Sequence, residues 1–461
     1  MVATESSGVA VRCAGTIGVV ASVAMNLAFL AMYINRHYFG KRRSDNGSDS
    51  STEITAVEPS KGKPPVTQDS VVNLDQWVII FHTGILLCCT LFSVLSIDSI
   101  SMMNSRGDPA LYKEFWDGTG DRATIVIPVW QTMSYFSDLS GFCWFVEPGF
   151  EREVRRLHRL VGNAITDGYH LLVGTGSTQL FQAALYALSP TENGTPMSVV
   201  SLAPYYSSYP SVTNFLYSGL YRWDGDANTF TGDKCIELVC SPNNPDGGIR
   251  KAVIKSKSAK TIHDFAYYWP QYTPIIEAAA HDIMLFTVSK CTGHAGTRLG
   301  WALVKDTEVA QKMIKFMELN TIGVSKDSQL RAAKILKVVC DDYELSPIGK
   351  VNHLFHFAQR KMAERWSRLR AVVATSGIFS LPDELSSYCM FAKENVTANP
   401  PFAWLRCHKD GVEDFEGFLR EHKIITRGGT KFGVDERVVR VSMLDTDEAF
   451  NVFIGRVASL K

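Results

Sequence analysis

The sequence lacks three features that mark common functional classes. None of its ten cysteines forms a Cys-x-x-Cys pair, and they are scattered along the chain. This scatter argues against a disulfide framework or a cysteine-based zinc site, and it favours a reducing compartment. The formal net charge is zero, so the overall balance does not favour a nucleic-acid partner. Internal repeats are also absent, and 461 residues suffice for two or three domains.

Charged residues are missing from residues 15–34, which read GTIGVVASVAMNLAFLAMYI. The stretch follows a short tail (1–14) and is long enough to span a bilayer. The flank after it carries Arg36, Lys41, Arg42 and Arg43. The length of the stretch and the basic residues after it favour an uncleaved anchor. The positive-inside rule then places the rest of the chain in the cytosol, and we expect the membrane to be that of the endoplasmic reticulum. A cleaved signal peptide is the alternative.

Apolar content is low between residues 44 and 70, where Ser, Asp, Gly, Lys and Pro dominate. This composition predicts that residues 35–76 form a flexible linker. Residues 77–106 contain a second apolar run, WVIIFHTGILLCCTLFSVLSI, which is also long enough to span. A second span would return the C-terminal part to the opposite side of the membrane.

From residue 107 the pattern is that of a soluble α/β protein. Buried-type strands such as HLLVGT (170–175), CIELVCSP (235–242) and DIMLFTVS (282–289) alternate with helical runs. This alternation predicts a sheet covered by helices on both faces, in a large domain over 107–325. Long amphipathic helices and short strands near FAWLR and VVRVSM predict a smaller α+β domain over 326–461.

Lys290 ends a buried-type strand and is followed by a glycine-rich loop and Arg298. A lysine in this position can be desolvated and kept near its neutral form, as Schiff-base chemistry requires. Ser289 and Arg298 can bind a phosphate beside it, the arginine through its planar fork. A lone lysine would be a surface residue, but the Ser-Lys-x7-Arg-Leu-Gly combination is far more specific.

A second phosphate-binding candidate is GTGSTQLFQAAL (174–185), where a strand runs into a helix. A helix N-terminus offers free N–H groups and positive potential to an anion. Ser and Thr are also ordinary N-caps, so this segment alone is weak.

Two further segments contain residues suited to pyridoxal 5′-phosphate (PLP). In SPNNPDGGI (241–249), Asn244 can bond the ring hydroxyl oxygen, although Asn-Pro and Asp-Gly also mark plain turns. In HDFAYYWP (263–270), Asp264 can pair with the pyridinium nitrogen and make the ring an electron sink. Tyr267 can donate to the same ring oxygen. The alternatives are a helix N-cap for Asp264 and a packing role for Tyr267.

Taken in order, these motifs resemble the fold-type I PLP enzymes, which have the aspartate-aminotransferase fold. Several sequence motifs are similar to those of the alliinase family, and within it to those of plant tryptophan aminotransferases. They are GDPALYKEFW, MSYFSD, APYYSSY, SPNNPDG, SKCTGHAGTRLGWALV and VRVSML. The similarity covers about residues 107–460. The fold implied is a large mixed-sheet PLP domain with a smaller α+β C-terminal domain.

The resemblance implies a role for each matching residue. Lys290 would form the Schiff base with PLP and move the proton, while Asp264 would pair with the ring nitrogen and Tyr206 would stack on the ring. Asn244 and Tyr267 would hold the ring oxygen, and Arg440 would bind the substrate carboxylate. The remaining cofactor-binding positions, mostly phosphate ligands, would be Ser177, Thr178, Gln179, Ser289, Arg298 and Tyr112, the last reaching over from the partner of a homodimer.

The implied reaction is transamination of L-tryptophan with pyruvate, giving indole-3-pyruvate and L-alanine in auxin biosynthesis. The alternatives are a carbon–sulfur lyase of the alliin type and a tethered protein of the same fold without activity. The lyases carry a cysteine-rich module before the PLP domain, and no cysteine cluster occurs there in this chain.

One departure from the family is the apolar insertion. In relatives the NLD motif, here residues 73–75, runs almost directly into GDP, here 107–109, whereas residues 77–106 intervene in this chain. Our hypothesis is that 77–106 is translated intron. If the segment is genuine, the expectations of the Tyr112 assignment and of activity both weaken.

Overall fold

The computed structural model describes residues 72–73, 109–190, 194–345 and 352–460. The predicted anchor (15–34) and the insertion (77–106) lie outside these residues. None of the helices in the described ranges combines the length and the apolar character that crossing a membrane requires.

The larger sheet is mixed and contains most of the strands predicted from buried-type runs. Its spatial order is β2-β8-β7-β6-β5-β3-β4, and β8 alone runs opposite to the other six strands. Strands such as β5 and β7 consist mostly of apolar residues and every residue in them is buried, as expected of strands covered on both faces. The strands are β2 (His170–Gly174), β3 (Met197–Ser201), β4 (Tyr221–Asp226), β5 (Cys235–Cys240), β6 (Lys260–Asp264), β7 (Ile283–Thr287) and β8 (Gly300–Val304).

The smaller sheet is antiparallel, with the order β14-β15-β12-β9. Two separate pairs accompany it, β10 with β11 and a parallel pairing of β1 with β13. The strands are β1 (Val72–Asn73), β9 (Phe379–Ser380), β10 (Ser386–Cys389), β11 (Glu394–Thr397), β12 (Phe402–Cys407), β13 (Ile424–Ile425), β14 (Arg427–Gly428) and β15 (Val438–Ser442).

Helices pack on both sheets and bury the apolar sides of their surfaces. They are α1 (Lys113–Thr119), α2 (Pro148–Val161), α3 (Gly176–Leu188), α4 (Tyr209–Asn214), α5 (Val288–Cys291), α6 (Thr307–Thr321), α7 (Lys326–Leu345), α8 (Leu354–Ser376), α9 (Phe415–Glu421) and α10 (Asp447–Ser459). Short 3-10 turns cover Ala110–Tyr112, Gly120–Ala123, Val129–Thr132, Ala295–Thr297 and Gly429–Phe432.

Helix α7 packs against α2 of the large domain. Gln329 on α7 accepts from the Glu147 N–H at 2.8 Å and donates to the Phe145 carbonyl at 2.8 Å. Arg156 on α2 pairs with Asp341 on α7 at 2.8 Å. The packing of the large domain therefore continues beyond the boundary predicted at residue 325.

Strand direction positions the site. Strands β2, β3, β5, β6 and β7 all run the same way, so their carboxyl ends share one edge of the sheet. Strand β8 runs the other way and therefore begins at that edge. Ligands bind at the carboxyl edge in open α/β sheets, so the functional site is expected there.

Candidate PLP site

One cavity lies at the carboxyl edge of the large sheet, and most of the predicted site residues line it. Each residue that lines it lies at or after the end of a strand of the large sheet, or just before the start of β8, and these strand ends meet at one edge. Those that line the cavity are Ser177, Thr178, Tyr206, Asn244, Asp264, Tyr267, Ser289, Lys290 and Arg298.

Lys290 lies in α5, directly after β7, and its side chain is almost completely buried. The hydroxyl of Thr287 caps this short helix by accepting from the Ser289 N–H at 3.2 Å. The Lys290 amine is 5.8 Å from the ring centroid of Tyr267. Its position at the strand end is therefore fixed by the backbone and not by a flexible loop.

The phosphate end is built from the N-terminus of α3 and from Arg298. Gly176 has φ +73°, and a Cβ there would come within 3.0 Å of the Arg298 guanidinium. A Cβ on Gly300 would lie 2.7 Å from the Ser177 backbone nitrogen. Both glycines thus allow an arginine and a helix N-terminus to converge, which creates a site for an anion.

Asp264 ends β6 on the other side of the cavity. Its carboxylate accepts from the Ala266 N–H and from the Tyr209 hydroxyl, each at 3.1 Å. Burial raises the pKa of Asp264, whereas the two hydrogen bonds and the charge of Lys290 oppose that rise. These two hydrogen bonds and the nearby lysine thus favour the carboxylate form of Asp264 inside an enclosed site.

Tyr209 is a functional residue that sequence reasoning missed. It begins α4, three residues after Tyr206, and the two rings meet edge to face at 5.3 Å. Burial next to Asp264 raises its pKa far above the usual value, so it stays a neutral donor to the carboxylate. The aromatic cluster APYYSSY after β3 was the available signal.

Arg440, the predicted carboxylate ligand, lies on β15 and is fully buried. Its guanidinium donates to the Asn244 side-chain oxygen at 3.0 Å and lies 4.2 Å from the ring centroid of Phe402. It therefore adjoins the cavity through Asn244, although it is not among the residues that line it.

Two predicted residues are placed elsewhere. The Gln179 side chain turns away from the cavity: it accepts from the Thr175 N–H at 2.7 Å and donates to Asn320 at 2.9 Å. Its side chain braces the turn before α3, and its cofactor-binding role stays a prediction. Tyr112 is buried within its own chain, where its hydroxyl bonds that of Tyr272 at 2.6 Å.

The donor set fits PLP. Hydroxyls, helix N–H groups and an arginine at one end suit the phosphate, and a carboxylate at the other end suits the pyridine nitrogen. Lys290 lies between them at the same sheet edge. The fold and the site thus define a PLP enzyme with the aspartate-aminotransferase fold, as predicted. Among the described residues, no group of His, Cys, Asp and Glu side chains is arranged to hold a metal ion.

Comparison with known proteins agrees with this class. A family model described as "Allinase" matches residues 102–461, and the chain belongs to the alliinase family, which is PLP-dependent. It is 64% identical over 453 residues to "Tryptophan aminotransferase-related protein 1" of Oryza sativa subsp. japonica, covering 97% of this chain and 96% of the relative. It is 37% identical to "Alliin lyase" of Allium cepa var. aggregatum, covering 75% and 78%.

Among solved structures, an aspartate aminotransferase double mutant from Thermus thermophilus has a TM-score of 0.54 at 16% identity, covering 76% of this chain and 88% of that chain. At that identity the likeness concerns the fold alone. It confirms the predicted fold-type I architecture, in which a large mixed sheet is joined to a smaller domain.

Proposed function

We propose that this protein is an aminotransferase that transfers the amino group of L-tryptophan to pyruvate, yielding indole-3-pyruvate and L-alanine for auxin biosynthesis. The observation that carries the proposal is the placement of Lys290 between an anion cradle and Asp264, with Arg440 adjoining through Asn244. The high identity to a relative named for tryptophan aminotransferase supports the choice of substrate.

Bound PLP would supply an electron sink for negative charge at the substrate Cα. Lys290 would be its attachment point, and the freed amine would then take the proton from that carbon. Asp264 would hold a positive charge on the ring nitrogen, and Arg298 with Ser177, Thr178 and Ser289 would hold the phosphate. Asn244 and Tyr267 would hold the ring oxygen, Tyr206 would cover the ring, and Arg440 would bind the substrate carboxylate.

The test is an amino-acid panel assay on the full chain, with pyruvate as acceptor. We expect transamination of aromatic amino acids by wild type and none by Lys290→Ala, with Lys305→Ala as an exposed-lysine control. Borohydride reduction followed by peptide mapping should place the PLP tag on residue 290. A tag on another residue, or no tag, would contradict the proposal.

A carbon–sulfur lyase is the second candidate, because the chain is 37% identical to an alliin lyase. The same Lys290 would then remove the Cα proton and a group would leave from Cβ. Release of pyruvate from an S-alkyl cysteine sulfoxide, without an added oxo acid, would favour this reaction over transamination.

We also propose a homodimer. Residues 126–142 expose large apolar side chains, and Val126, Val129 and Met133 are each at least 80% exposed. Apolar exposure on this scale is typical of an interface. Light scattering should give a dimer for wild type and a shift toward monomer for Val129→Asp, whereas Val412→Asp on the small domain should stay dimeric.

The membrane anchor over 15–34 and the cytosolic placement of the catalytic part stay proposals. Asn395, which starts an Asn-Val-Thr sequon, is exposed on β11 and would be open to glycosylation in a lumenal protein. We expect carbonate-resistant membrane association in the endoplasmic reticulum and no glycan on Asn395. A glycan there would overturn the topology.

The hypothesis that 77–106 is translated intron is tested by transcript sequencing. We expect mature transcripts that join the NLD and GDP motifs directly. Transcripts that consistently retain the segment, together with active protein made from them, would remove the hypothesis.

A further inference from the structure

The loop that carries Tyr206 is attached to the small domain. Its Tyr205 N–H donates to the Phe432 carbonyl at 3.0 Å. Gly433 makes room for the Tyr205 ring, since a Cβ there would lie 2.5 Å from the ring edge. The loop after β3 is thus fitted against the turn between β14 and β15.

A buried arginine makes a third attachment. Arg427 on β14 is 4% exposed, and its guanidinium donates to the Ser207 hydroxyl at 2.8 Å. Ser207 immediately follows Tyr206 in the chain. A hydrogen bond from a buried charged group is stronger than one between neutral groups, so this contact restricts the loop more than a typical contact.

Arg427 and Arg440 are directly opposite each other across the β14–β15 pair. Residues opposite each other in an antiparallel pair project on the same face, so both arginines point toward the cofactor loops. Arg440 donates to Asn244 after β5, whereas Arg427 donates to Ser207 after β3. Each arginine therefore attaches one cofactor loop to the same short piece of sheet.

The charges of both arginines also act on Tyr206. Burial raises the pKa of the Tyr206 hydroxyl, while the charges of Arg440 and Arg427 oppose the rise. Arg427 is thus within electrostatic range of the tyrosine, although it is not among the residues that line the cavity.

We propose that Arg427 is a positioning residue: through Ser207 it fixes the loop that places Tyr206 over the cofactor ring. The proposal rests on the proposed function, in which Tyr206 stacks on PLP and Arg440 holds the substrate carboxylate. It adds that ring stacking and carboxylate binding share one rigid support, the β14–β15 pair.

The test compares Arg427→Gln, Ser207→Ala and the double variant in the full chain. Two quantities are measured: the dissociation constant for PLP, and amide exchange of residues 203–208 without cofactor. We expect each single variant to raise the PLP dissociation constant about tenfold and to speed exchange in the loop. The double variant should bind PLP no more weakly than the more impaired of the two single variants, because both changes remove the same contact.

Arg406→Gln is the matched control, because Arg406 is a partly exposed arginine of β12 that pairs with Asp435 at 2.9 Å. It should leave both quantities unchanged. Arg427→Lys, which keeps one donor and the charge, should restore part of the PLP affinity. If Arg427→Gln fails to fold, Ser207→Ala and Arg427→Lys carry the same comparison.

Additive losses in the double variant would overturn the proposal, because they would mean that the residues act separately. A lower melting temperature with unchanged PLP affinity and loop exchange would reduce Arg427 to a packing role and would also overturn it. Failure of the proposed function is recognised separately in wild type, either as no PLP on Lys290 or as PLP on Lys290 without transamination in the panel assay. The exchange of the loop amides can be measured in both cases.

Discussion

The guanidinium of Arg440 and the side-chain oxygen of Asn244 are joined by a hydrogen bond of 3.0 Å. One residue belongs to the small sheet and the other to the turn after β5 in the large sheet. The same guanidinium is the proposed ligand of the substrate carboxylate, so substrate binding and the cofactor turn share one donor group.

Replacing Arg440 with Lys should therefore weaken the binding of amino acid and oxo acid alike. A lysine keeps the charge but loses the planar fork that binds a carboxylate through two bonds. We expect KM for both substrates to rise about ten- to a hundredfold, as loss of one charged hydrogen bond predicts. Steady-state kinetics check this, with Arg406→Lys as the control. An unchanged KM would remove Arg440 from the substrate site.

Gly176→Ala should lower the affinity for PLP. The new Cβ would press on the Arg298 guanidinium at 3.0 Å, and its φ of +73° strains a side chain. We expect a rise of about tenfold in the PLP dissociation constant, since such strain costs roughly 1–2 kcal/mol.

Gly168→Ala separates the strain of a positive φ from the contact with Arg298. Gly168 also has a positive φ, +79°, but a Cβ there meets nothing within 4 Å. Both variants should lose thermal stability, and only Gly176→Ala should lose PLP affinity. Equal losses of affinity would mean that the Arg298 contact is unimportant.

Tyr209→Phe should move the acid limb of the activity profile to higher pH. The Tyr209 hydroxyl donates to Asp264 and so lowers the pKa of a carboxyl that burial raises. Without that donor the pKa rises further and the carboxylate is lost at a higher pH. We expect kcat/KM below neutral pH to fall about three- to tenfold, as one hydrogen bond predicts. The profile of kcat/KM against pH checks this, and Tyr343→Phe, which removes a hydroxyl bonded to His356, should leave the limb in place.

His158 makes the fold sensitive to acid. It is buried, bonded to Asn163 at 2.8 Å and to the Trp301 indole at 2.9 Å, and burial lowers its pKa from 6.5 to about 4. The unfolded chain therefore takes up a proton before the folded chain does. The stability that this group contributes is complete above pH 6.5 and declines as pH falls toward 4, by about 3 kcal/mol in total.

Denaturant unfolding between pH 7 and pH 4.5 measures this decline. His158→Gln should lower the stability at pH 7, because it disturbs two buried bonds, but its stability should fall less steeply with acid. The exposed His422→Gln should follow wild type. Parallel curves for wild type and His158→Gln would contradict the assignment.

Local patterns predicted the strands of the large sheet and most residues of the cavity. Lys290 and Asp264 each lie at or just after the end of a buried-type run, and strand ends converge at one edge of a sheet. Short strands such as β4 and β14 went unpredicted, because two to six residues of mixed polarity carry little periodicity.

Contacts between distant segments could not be predicted from the sequence. Gln179 is one residue from Thr178, yet its side chain faces α6 because the helix turns it away from the cavity. The bond between Arg427 and Ser207 joins residues 220 positions apart. Neither is visible in spacing, since both depend on how the two domains and their helices pack.

The single reversed strand β8 couples two chemical functions to one stretch of chain. Only seven residues separate Lys290 from Arg298, and the chain returns to the same rim because β8 starts where β7 stops. The distance between the covalent attachment point and the anchor for the phosphate is therefore set by one short loop. Adding or deleting a residue in that loop would change the positions of Lys290 and Arg298 relative to each other. This segment should therefore tolerate substitutions far better than changes in length.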